Sequence, residues 1–375
     1  MVKPVFHRGG FPEVTDHLRF GGRNGAWARP DGDPEITQAY RVELAQAAEK
    51  AGYDSILSIT THRNYDPWVA TSFLAAHTQK IKFIVALRPG FAHPTLVAQQ
   101  SATFQEMSNN RLYLNIVTGS HEGELRALGE TLNKVQRYER TSEFFDVLKA
   151  AYKGEPFDYE GKYYSVTQGG LAKPLAVTPR LFMGGSSDDG RAIAGKHAEI
   201  HLSYSETPPQ IAETIKKVRE EAAKNGRTVE FGMLISVIAR ETSAEAWKET
   251  DKILDNLDLE KVREYKKFIA SRNSVGEARV QSLSANVDYN DRESLKVYPN
   301  IWVGANRTTL VGSYAEVAER IEEYLSVGVK HFLIGGSPVL RSIQEFADGV
   351  MPYFRNHKDK PVFRPEDEKE ESLSL

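Results

Sequence analysis

Residues 111–120 read RLYLNIVTGS, and residues 179–187 read PRLFMGGSS. Each stretch begins as a short apolar run typical of a buried strand, and each ends in glycine and hydroxyl residues. In the second stretch two glycines let a ligand approach the backbone closely. Ser186 and Ser187 follow, where a succeeding helix exposes its first unpaired N–H groups. The pattern predicts an anion cradle, although a simple capped turn between strand and helix would use the same residues.

Strand-like and helix-like segments alternate along most of the chain. Further apolar runs are typical of strands, at residues 54–60, 81–87, 200–204, 229–238 and 331–334. Amphipathic segments with helical spacing lie between them, which indicates a parallel sheet with crossover connections. With about eight such units, a closed (β/α)8 TIM barrel is favoured over an open doubly wound sheet. We therefore predict an α/β fold with one barrel domain over residues 1–356.

Four segments depart from this alternation. Residues 9–34 are rich in Gly, Arg, Asp and Pro and are predicted to form a long loop after the first strand. Residues 157–166 predict a hairpin that turns at Glu160 and Gly161. A polar insertion at about 259–308 is placed where barrels carry lids and substrate walls. Residues 357–375 are charged and are expected to be a flexible tail.

Composition excludes several classes of function. The chain has 375 residues, a formal net charge of −3 and no cysteine. This charge gives no reason to expect nucleic acid or an anionic membrane as a partner. The missing cysteines exclude disulfides, thiolate nucleophiles and zinc–thiolate sites, and they suit a reducing cytosol. The N-terminal residues lack an apolar run of signal-peptide length, so we expect a cytoplasmic protein.

The common catalytic motifs are also missing from the sequence. No Ser–His–Asp arrangement and no Walker loop is present, and no pair of His or acidic residues has metal-ligand spacing. We therefore expect an enzyme without a bound metal.

Several segments together resemble a known family. They are KFIVALRPGFAHPTLVAQQSATFQEMSNNRLYLNIVTGS (82–120), RYERTSEF (137–144), PRLFMGGSS (179–187), LSYSETPP (202–209), RNSVGEARVQSL (272–283) and TLVGSYAEVAERIEEYLSVGVKHFLIGG (309–336). In this order they resemble the bacterial luciferase-like flavin-dependent monooxygenases, most closely the alkanesulfonate monooxygenases. The resemblance implies a TIM-type barrel, reduced FMN (FMNH2) delivered by a separate NAD(P)H:flavin reductase, O2 as co-substrate, and a homodimer or homotetramer.

The resemblance also implies roles for individual residues. Ser186 and Ser187, after Gly185, would bind the FMN phosphate, and Tyr138 would add a phenolic hydrogen bond to it. Thr118 would lie beside the isoalloxazine ring, and Tyr204 has the place of an aromatic residue that packs on the ring.

Other positions depart from the alkanesulfonate monooxygenase pattern. Leu234 and Ser236 stand on the seventh barrel strand where that pattern has an arginine and a histidine. Ser337 replaces a tyrosine after the last strand, and Tyr65 lies near the place of a cysteine. Arg307 matches one arginine of the family's mobile loop. These differences leave the FMN expectation intact but weaken the expectation of a small alkanesulfonate.

Oxygen transfer from a reduced flavin needs cations or donors near the reacting oxygen, because negative charge develops in a dry cavity. Residues of this type in loops at the expected catalytic face are His62, Arg63 and Arg307, with Ser236 as a further residue lining the site. An arginine would also bind a sulfonate through two hydrogen bonds. A solvated surface role is the alternative for the loop residues, and Trp68 fits either a substrate wall or the core.

The leading functional expectation is a two-component FMNH2-dependent monooxygenase that cleaves the C–S bond of an organosulfonate to an aldehyde and sulfite. Three alternatives on the same scaffold are oxygenation of a sulfone or other organosulfur compound, Baeyer–Villiger oxidation and N-hydroxylation. A flavin- or F420-dependent reductase is the alternative from a different class.

Overall fold

The computed structural model describes residues 3–8, 37–61, 65–255, 259–270, 274–283, 285, 287–288, 291–303, 308–336 and 339–355. The strands are β1 Val5–Arg8, β2 Ser55–Ser58, β3 Lys82–Leu87, β4 Leu112–Ile116, β5 Phe157–Glu160, β6 Ser165–Gly169, β7 Arg180–Gly184, β8 Ile200–Tyr204, β9 Glu230–Arg240, β10 Lys296–Tyr298, β11 Ile301–Val303, β12 Thr308–Ser313 and β13 His331–Gly335.

The α-helices are α1 Gln38–Ala51, α2 Pro67–Ala76, α3 Pro94–Ser108, α4 Glu122–Ala127, α5 Lys134–Tyr152, α6 Asp188–His197, α7 Pro208–Lys224, α8 Ser243–Asp255, α9 Leu259–Ala270, α10 Val275–Leu283, α11 Tyr314–Ser326, α12 Val339–Glu345 and α13 Pro352–Arg355. A 3-10 turn spans Glu293–Leu295, and a π-helical turn spans Phe346–Val350.

Eight parallel strands close into a barrel in the order β1-β2-β3-β4-β7-β8-β9-β13. Closure comes from β13, which pairs with β9 on one side and with β1 on the other. Each connection from one barrel strand to the next returns along the outside and includes at least one helix. The predicted (β/α)8 barrel is therefore confirmed. The division into one domain and a tail stays a prediction, because residues 356–375 lie outside the described residues.

The core has two layers. Inside the barrel, Leu57, Ile84, Phe182 and Leu333 form a cluster of buried side chains. A larger cluster fills the space between strands and helices, with Phe83 from β3 packing against Phe104 of α3. This division follows from the alternation of side chains along each strand, which turns neighbouring residues to opposite faces.

β9 is long enough to pair with strands beyond the barrel. Its first half lies in the barrel, while Ser236–Arg240 pairs in parallel with β12. Beyond β12, the short strands β11 and β10 add two antiparallel neighbours to the same sheet. The sequence predicted a polar insertion at about 259–308 but not these strands. Strands of 3 residues are too short to show the alternating pattern by which strands are recognised.

The predicted hairpin is present as the antiparallel pair β5–β6. Its turn is closed by a hydrogen bond from Gly161 N–H to the Tyr164 carbonyl at 2.9 Å. The Glu143 carboxylate of α5 accepts hydrogen bonds from the backbone N–H groups of Lys162, Tyr163 and Tyr164. These bonds attach the hairpin to the helix that also carries Tyr138.

A polar network closes the N-terminal end of the barrel. The Glu230 carboxylate pairs with Arg180, Lys330 and His331, the last at 2.8 Å. Partial burial alone would raise the pKa of Glu230, but these three hydrogen bonds outweigh it and lower the pKa to about 2. His331 Nδ1 lies 2.9 Å from Nε2 of His7. Glu230 at one end of this row of side chains and His7 at the other are therefore both hydrogen-bonded within the fold.

Candidate functional site

The loop between β7 and α6 forms a shallow cradle at the C-terminal end of the barrel. Ser187 caps α6, with its Oγ accepting a hydrogen bond from Gly190 N–H at 3.2 Å. Gly185 has φ +149°, and a Cβ at this position would lie 3.0 Å from the Cα of Gly190. The close approach therefore requires glycine, and the first N–H groups of the helix are directed towards the same space. Such a cradle suits a phosphate.

Tyr138 reaches this cradle from α5. The Ser187 hydroxyl donates to the Tyr138 phenol oxygen over 3.2 Å, which joins two residues 49 positions apart in the chain. Burial raises the pKa of Tyr138, so the phenol keeps its proton at neutral pH. With its oxygen already accepting from Ser187, Tyr138 can donate that proton to an anion in the cradle.

Two further side chains fix the backbone of the cradle. Nε2 of His201 lies 3.1 Å from the Gly185 carbonyl oxygen, and because a carbonyl only accepts, Nε2 carries the proton. Burial lowers the pKa of His201 to about 4, so the ring is neutral at pH 7. The Arg191 guanidinium donates to the Ser186 carbonyl and pairs with Asp188. Sequence reasoning did not single out His201 or Arg191.

Two buried polar atoms, on β4 and just after it, have no hydrogen-bond partner among the described residues. They are Oδ1 of Asn115 and Oγ1 of Thr118. Asn115 shares the inward face of β4 with Tyr113 and Val117, which pack against the cluster inside the barrel. Unpaired buried polar atoms are costly, so a ligand that supplies the missing hydrogen bonds is expected here. Sequence reasoning chose Thr118 but missed Asn115, although a polar residue on the inward face of an apolar strand is a usable signal.

The N-terminus of α10 lies directly over the cradle. A Cβ added to Gly276 would lie 2.8 Å from Ser186 Oγ and 2.9 Å from Tyr204 Cδ2. The Tyr204 hydroxyl lies 3.5 Å from the Glu277 carboxylate, and the ring is 42% exposed. Tyr204 therefore contacts α10 close to Ser186.

A buried ion pair ties α10 to the barrel. Nη2 of Arg279 lies 2.7 Å from the carboxylate of Glu206, which is almost completely buried. Arg279 also donates to Thr214 of α7 at 3.1 Å. The predicted lid insertion is thus attached at two points on the side of the cradle.

Ser236 and Leu234 occupy the inward face of β9. Leu234 packs against the apolar cluster inside the barrel, and Ser236 pairs in register with Gly335 of β13. A Cβ at Gly335 would lie 3.4 Å from Ser236 Oγ, so the serine hydroxyl faces the end of the last barrel strand. Both residues therefore line the barrel interior, and the surface around Leu234 is apolar.

Two further candidates, Tyr65 and Trp68, make their contacts away from the cradle. The Tyr65 ring is half-exposed and stacks 4.6 Å from the Arg41 guanidinium carbon. Trp68 packs with Phe104 in the outer core layer, with an edge contact between the rings. The other predicted site residues, His62, Arg63, Arg307 and Ser337, lie outside the described residues.

Residues 21–331 match the family model described as luciferase-like monooxygenase. The chain belongs to the luciferase-like monooxygenase family. It is accordingly an oxidoreductase of the flavin-dependent monooxygenase type. The matched residues include the cradle, the inward face of β4 and the insertion at about 259–308.

Three solved structures show the same fold. Riboflavin lyase (RcaE), solved with a modified FMN and riboflavin, is 20% identical over 94% of this chain and 91% of its own, with a TM-score of 0.78. Long-chain alkane monooxygenase (LadA) is 18% identical over 96% of this chain and 94% of its own, with a TM-score of 0.76. An F420-dependent secondary alcohol dehydrogenase, solved with an F420–acetone adduct, is 19% identical over 94% of this chain and all of its own, with a TM-score of 0.67.

The residues of this luciferase-like enzyme fit a phosphorylated flavin. A phosphate suits the glycine-bounded cradle with its two serines and Tyr138. A polar ring edge would satisfy the unpaired atoms of Asn115 and Thr118. Within the described residues there is no group of three His, Asp or Glu side chains that could hold a metal ion. None of the described helices combines the length and apolar character that crossing a membrane requires.

Proposed function

We propose that this enzyme binds reduced FMN at the cradle and uses O2 to cleave the C–S bond of an organosulfonate. Reduced FMN supplies two electrons and activates O2 when bound. One oxygen atom goes to the carbon, which becomes an aldehyde as sulfite leaves, and the other oxygen becomes water. The flavin would be reduced by a separate NAD(P)H:flavin reductase, and we expect a homodimer or homotetramer.

The observation that carries the cofactor proposal is the convergence at the cradle. Ser187, Tyr138 and the N-terminus of α6 meet around a backbone that only glycine permits at residue 185. A phosphate placed there would accept hydrogen bonds from hydroxyl groups and from backbone N–H groups at the positive end of the helix. Riboflavin and other flavins without a phosphate would lose these interactions.

The chain's own residues would hold the ring and exclude water. Thr118 and Asn115 would bond its polar edge, and the apolar cluster that includes Leu57, Leu234 and Leu333 would keep the space below it dry. α10, attached through Arg279, would cover the phosphate side. Cations for the reacting oxygen are assigned, as a proposal, to Arg307, Arg63 and His62, with Ser236 lining the site.

The sulfonate part of the proposal is supported by the sequence resemblance. One observation on β9 favours a different oxygenation reaction as the second candidate function. Leu234 lies in an apolar cluster, whereas the alkanesulfonate monooxygenase pattern has an arginine at this position. An apolar surface there favours a substrate with a larger hydrocarbon part. That substrate could be a sulfone or another organosulfur compound, a ketone for Baeyer–Villiger oxidation, or an amine for N-hydroxylation.

Two measurements test the proposal. Titration with photoreduced FMN under anaerobic conditions should show tighter binding than titration with oxidised FMN, and F420 should not replace FMN. Equal affinity for both redox states, or preference for F420, would contradict the oxygenase proposal and favour a reductase.

The second measurement is sulfite release from a panel of alkyl and aryl sulfonates, with a generic flavin reductase and NADH supplying FMNH2. We expect stoichiometric sulfite and aldehyde from at least one member. Substrate-stimulated O2 consumption without sulfite on a panel of sulfones, ketones and amines would replace C–S cleavage by another oxygenation.

A further inference from the structure

A cavity of about 410 Å³ lies between α1, β2 and α2. Its apolar wall includes Ile56, Leu74 and Phe83, which belong to the core layer between strands and helices. Leu57 of the cluster inside the barrel also borders it, so the cavity lies at the barrel wall beside α1 and α2. The cradle lies elsewhere on the barrel, three strands away at β7. Its volume falls within the range typical of small-molecule sites.

The cavity contains a buried cation that has no acidic partner among the described residues. Arg41 of α1 lines it, with only 4% of the residue exposed. Its Nε and Nη2 atoms are buried without hydrogen-bond partners, and within the described residues no ion pair involves its guanidinium. The guanidinium group of Arg41 lies over the ring of Tyr65, which also lines the cavity. A buried, unpaired charge costs several kcal/mol unless a partner is supplied.

A second polar group in the same cavity is also unpaired. The Thr71 side chain of α2 is completely buried, and its Oγ1 has no hydrogen-bond partner. A threonine hydroxyl in a helix commonly bonds a carbonyl one turn earlier, so its lack of a partner here is unusual. Arg41 and Thr71 stand on different helices and line the same cavity. Both can donate a hydrogen bond to an anionic oxygen.

One carboxylate of the protein also borders the cavity. Asp66 is exposed at the rim, and its Oδ1 accepts from Val69 N–H at 2.9 Å as the cap of α2. It forms no ion pair with Arg41, so this carboxylate does not neutralise the charge of Arg41.

We infer that this cavity binds a small organic anion, with a sulfonate or carboxylate head and an apolar body. The head accepts hydrogen bonds from Arg41 and Thr71, and the Tyr65 ring shields the pair from water. The body lies against Ile56, Leu74 and Phe83. This inference does not rest on the proposed flavin chemistry, because none of these residues belongs to the cradle.

The test is isothermal titration of the full-length protein, saturated with oxidised FMN, with 1-hexanesulfonate, hexanoate and 1-hexanol. We expect both anions to bind at least 10-fold more tightly than the alcohol, and the Arg41 variants separate this site from any binding beside the flavin. The ratio of the two anion affinities shows whether the cavity prefers a sulfonate or a carboxylate. Arg41→Gln should weaken binding of the anions at least 10-fold and leave binding of hexanol unchanged, and Arg41→Lys should give an intermediate affinity.

Thr71→Val provides an independent variant of nearly the same shape. It should weaken anion binding about 3- to 10-fold, while the ligand-free protein unfolds at the same or a higher denaturant concentration, because the unpaired hydroxyl is removed. Asp66→Asn is the matched control and should not weaken anion binding. The FMN affinity of each variant shows whether it is folded. If Arg41→Gln lowers FMN affinity, the anion affinities of Arg41→Lys and Thr71→Val test the inference instead.

The inference is overturned if the wild type binds neither anion, or if the Arg41 and Thr71 variants that fold bind them as tightly as the wild type. Neither result would contradict the proposed function, which sulfite release and FMN binding test independently. Loss of sulfite release with intact anion binding would instead contradict the proposed function alone.

Discussion

The two ends of the barrel differ in whether their buried polar groups have partners. At the N-terminal end, Glu230 is surrounded by Arg180, Lys330 and His331, and each charge has a partner. At the C-terminal end, Asn115 and Thr118 keep buried oxygen atoms without partners. The first arrangement stabilises the fold without a ligand, whereas the second is destabilising unless a ligand supplies the missing hydrogen bonds. The stabilising network and the proposed cofactor site therefore lie at opposite ends of the barrel.

The largest expected effect comes from breaking the network at the N-terminal end. Glu230→Gln leaves two cations and His331 without their carboxylate, and should lower the free energy of unfolding by about 2–3 kcal/mol, below the usual cost for a fully buried pair because the side chain is partly exposed. Urea denaturation measures this change. FMN affinity should be unaffected.

Glu139→Gln is the control, since Glu139 pairs with Lys162 on the exposed face of the hairpin. It should leave the denaturation midpoint nearly unchanged. A midpoint for Glu230→Gln equal to that of the wild type would show that the N-terminal network does not stabilise the barrel.

The same network predicts loss of stability in acid. Burial lowers the pKa of His331 to about 4, and burial together with His331 lowers the pKa of His7 well below its ordinary value. Both rings are neutral when folded but bind protons when unfolded, so stability is complete above about pH 6.5 and falls as the pH decreases towards 4. Each histidine contributes a slope of at most about 1.4 kcal/mol per pH unit. Below about pH 4.5, protonation of Glu230 adds to the loss.

Denaturant midpoints measured from pH 8 to pH 4 test this expectation, with His331→Gln giving a shallower slope than the wild type. A stability that stays constant over this interval would mean that the histidines are not held neutral by the fold.

At the C-terminal end, a smaller effect is expected where α10 meets the cradle. Gly276→Ala places a methyl group less than 3.0 Å from both Ser186 and Tyr204. The steric cost of about 1–3 kcal/mol exceeds the roughly 0.5–1 kcal/mol that alanine gains in helix propensity. Hydrogen exchange of residues 275–283 should therefore become faster.

Ala278→Ser, at an exposed position of the same helix, is the matched control and should leave exchange almost unchanged. Slower exchange in Gly276→Ala would mean that helix propensity outweighs the contact, and that α10 does not rest on the cradle.

The smallest expected effect comes from Thr118, at the C-terminal end of the barrel, where ligand binding and stability should respond in opposite directions. Thr118→Val removes an unpaired hydroxyl, so the ligand-free protein should be as stable as the wild type or slightly more stable. FMN affinity should fall by about 1 kcal/mol, measured by quenching of flavin fluorescence. Thr103→Val, exposed on α3, should change neither quantity by this amount. A clear loss of stability without loss of FMN affinity would place Thr118 with the structural residues.

The sequence predicted the barrel and part of the site for identifiable reasons. Alternating apolar runs revealed the barrel strands, and Ser186 and Ser187 were proposed because glycines and hydroxyls precede a helix. Tyr138 was selected only through the resemblance, since its contact with Ser187 spans 49 residues. The strands β10 and β11 were missed because each has only 3 residues.

Other features could not be predicted because they depend on packing between distant segments. The cavity around Arg41 needs α1 and α2 to be placed side by side, and an arginine in an amphipathic helix is normally solvated. The contact of Gly276 with Ser186 joins residues 90 positions apart along the chain. Trp68, considered for the substrate wall or the core, packs in the outer core layer.

The central claim is that a phosphorylated flavin is anchored by the paired serines, and the affinity ratio of FMN to riboflavin tests it directly. The wild type should bind FMN more tightly than riboflavin. The double variant Ser186→Ala, Ser187→Ala should lose about 1–3 kcal/mol of FMN binding and none of its riboflavin binding. Equal affinity of the wild type for the two flavins, or unchanged FMN affinity in the double variant, would contradict the claim and reduce the cradle to a helix cap.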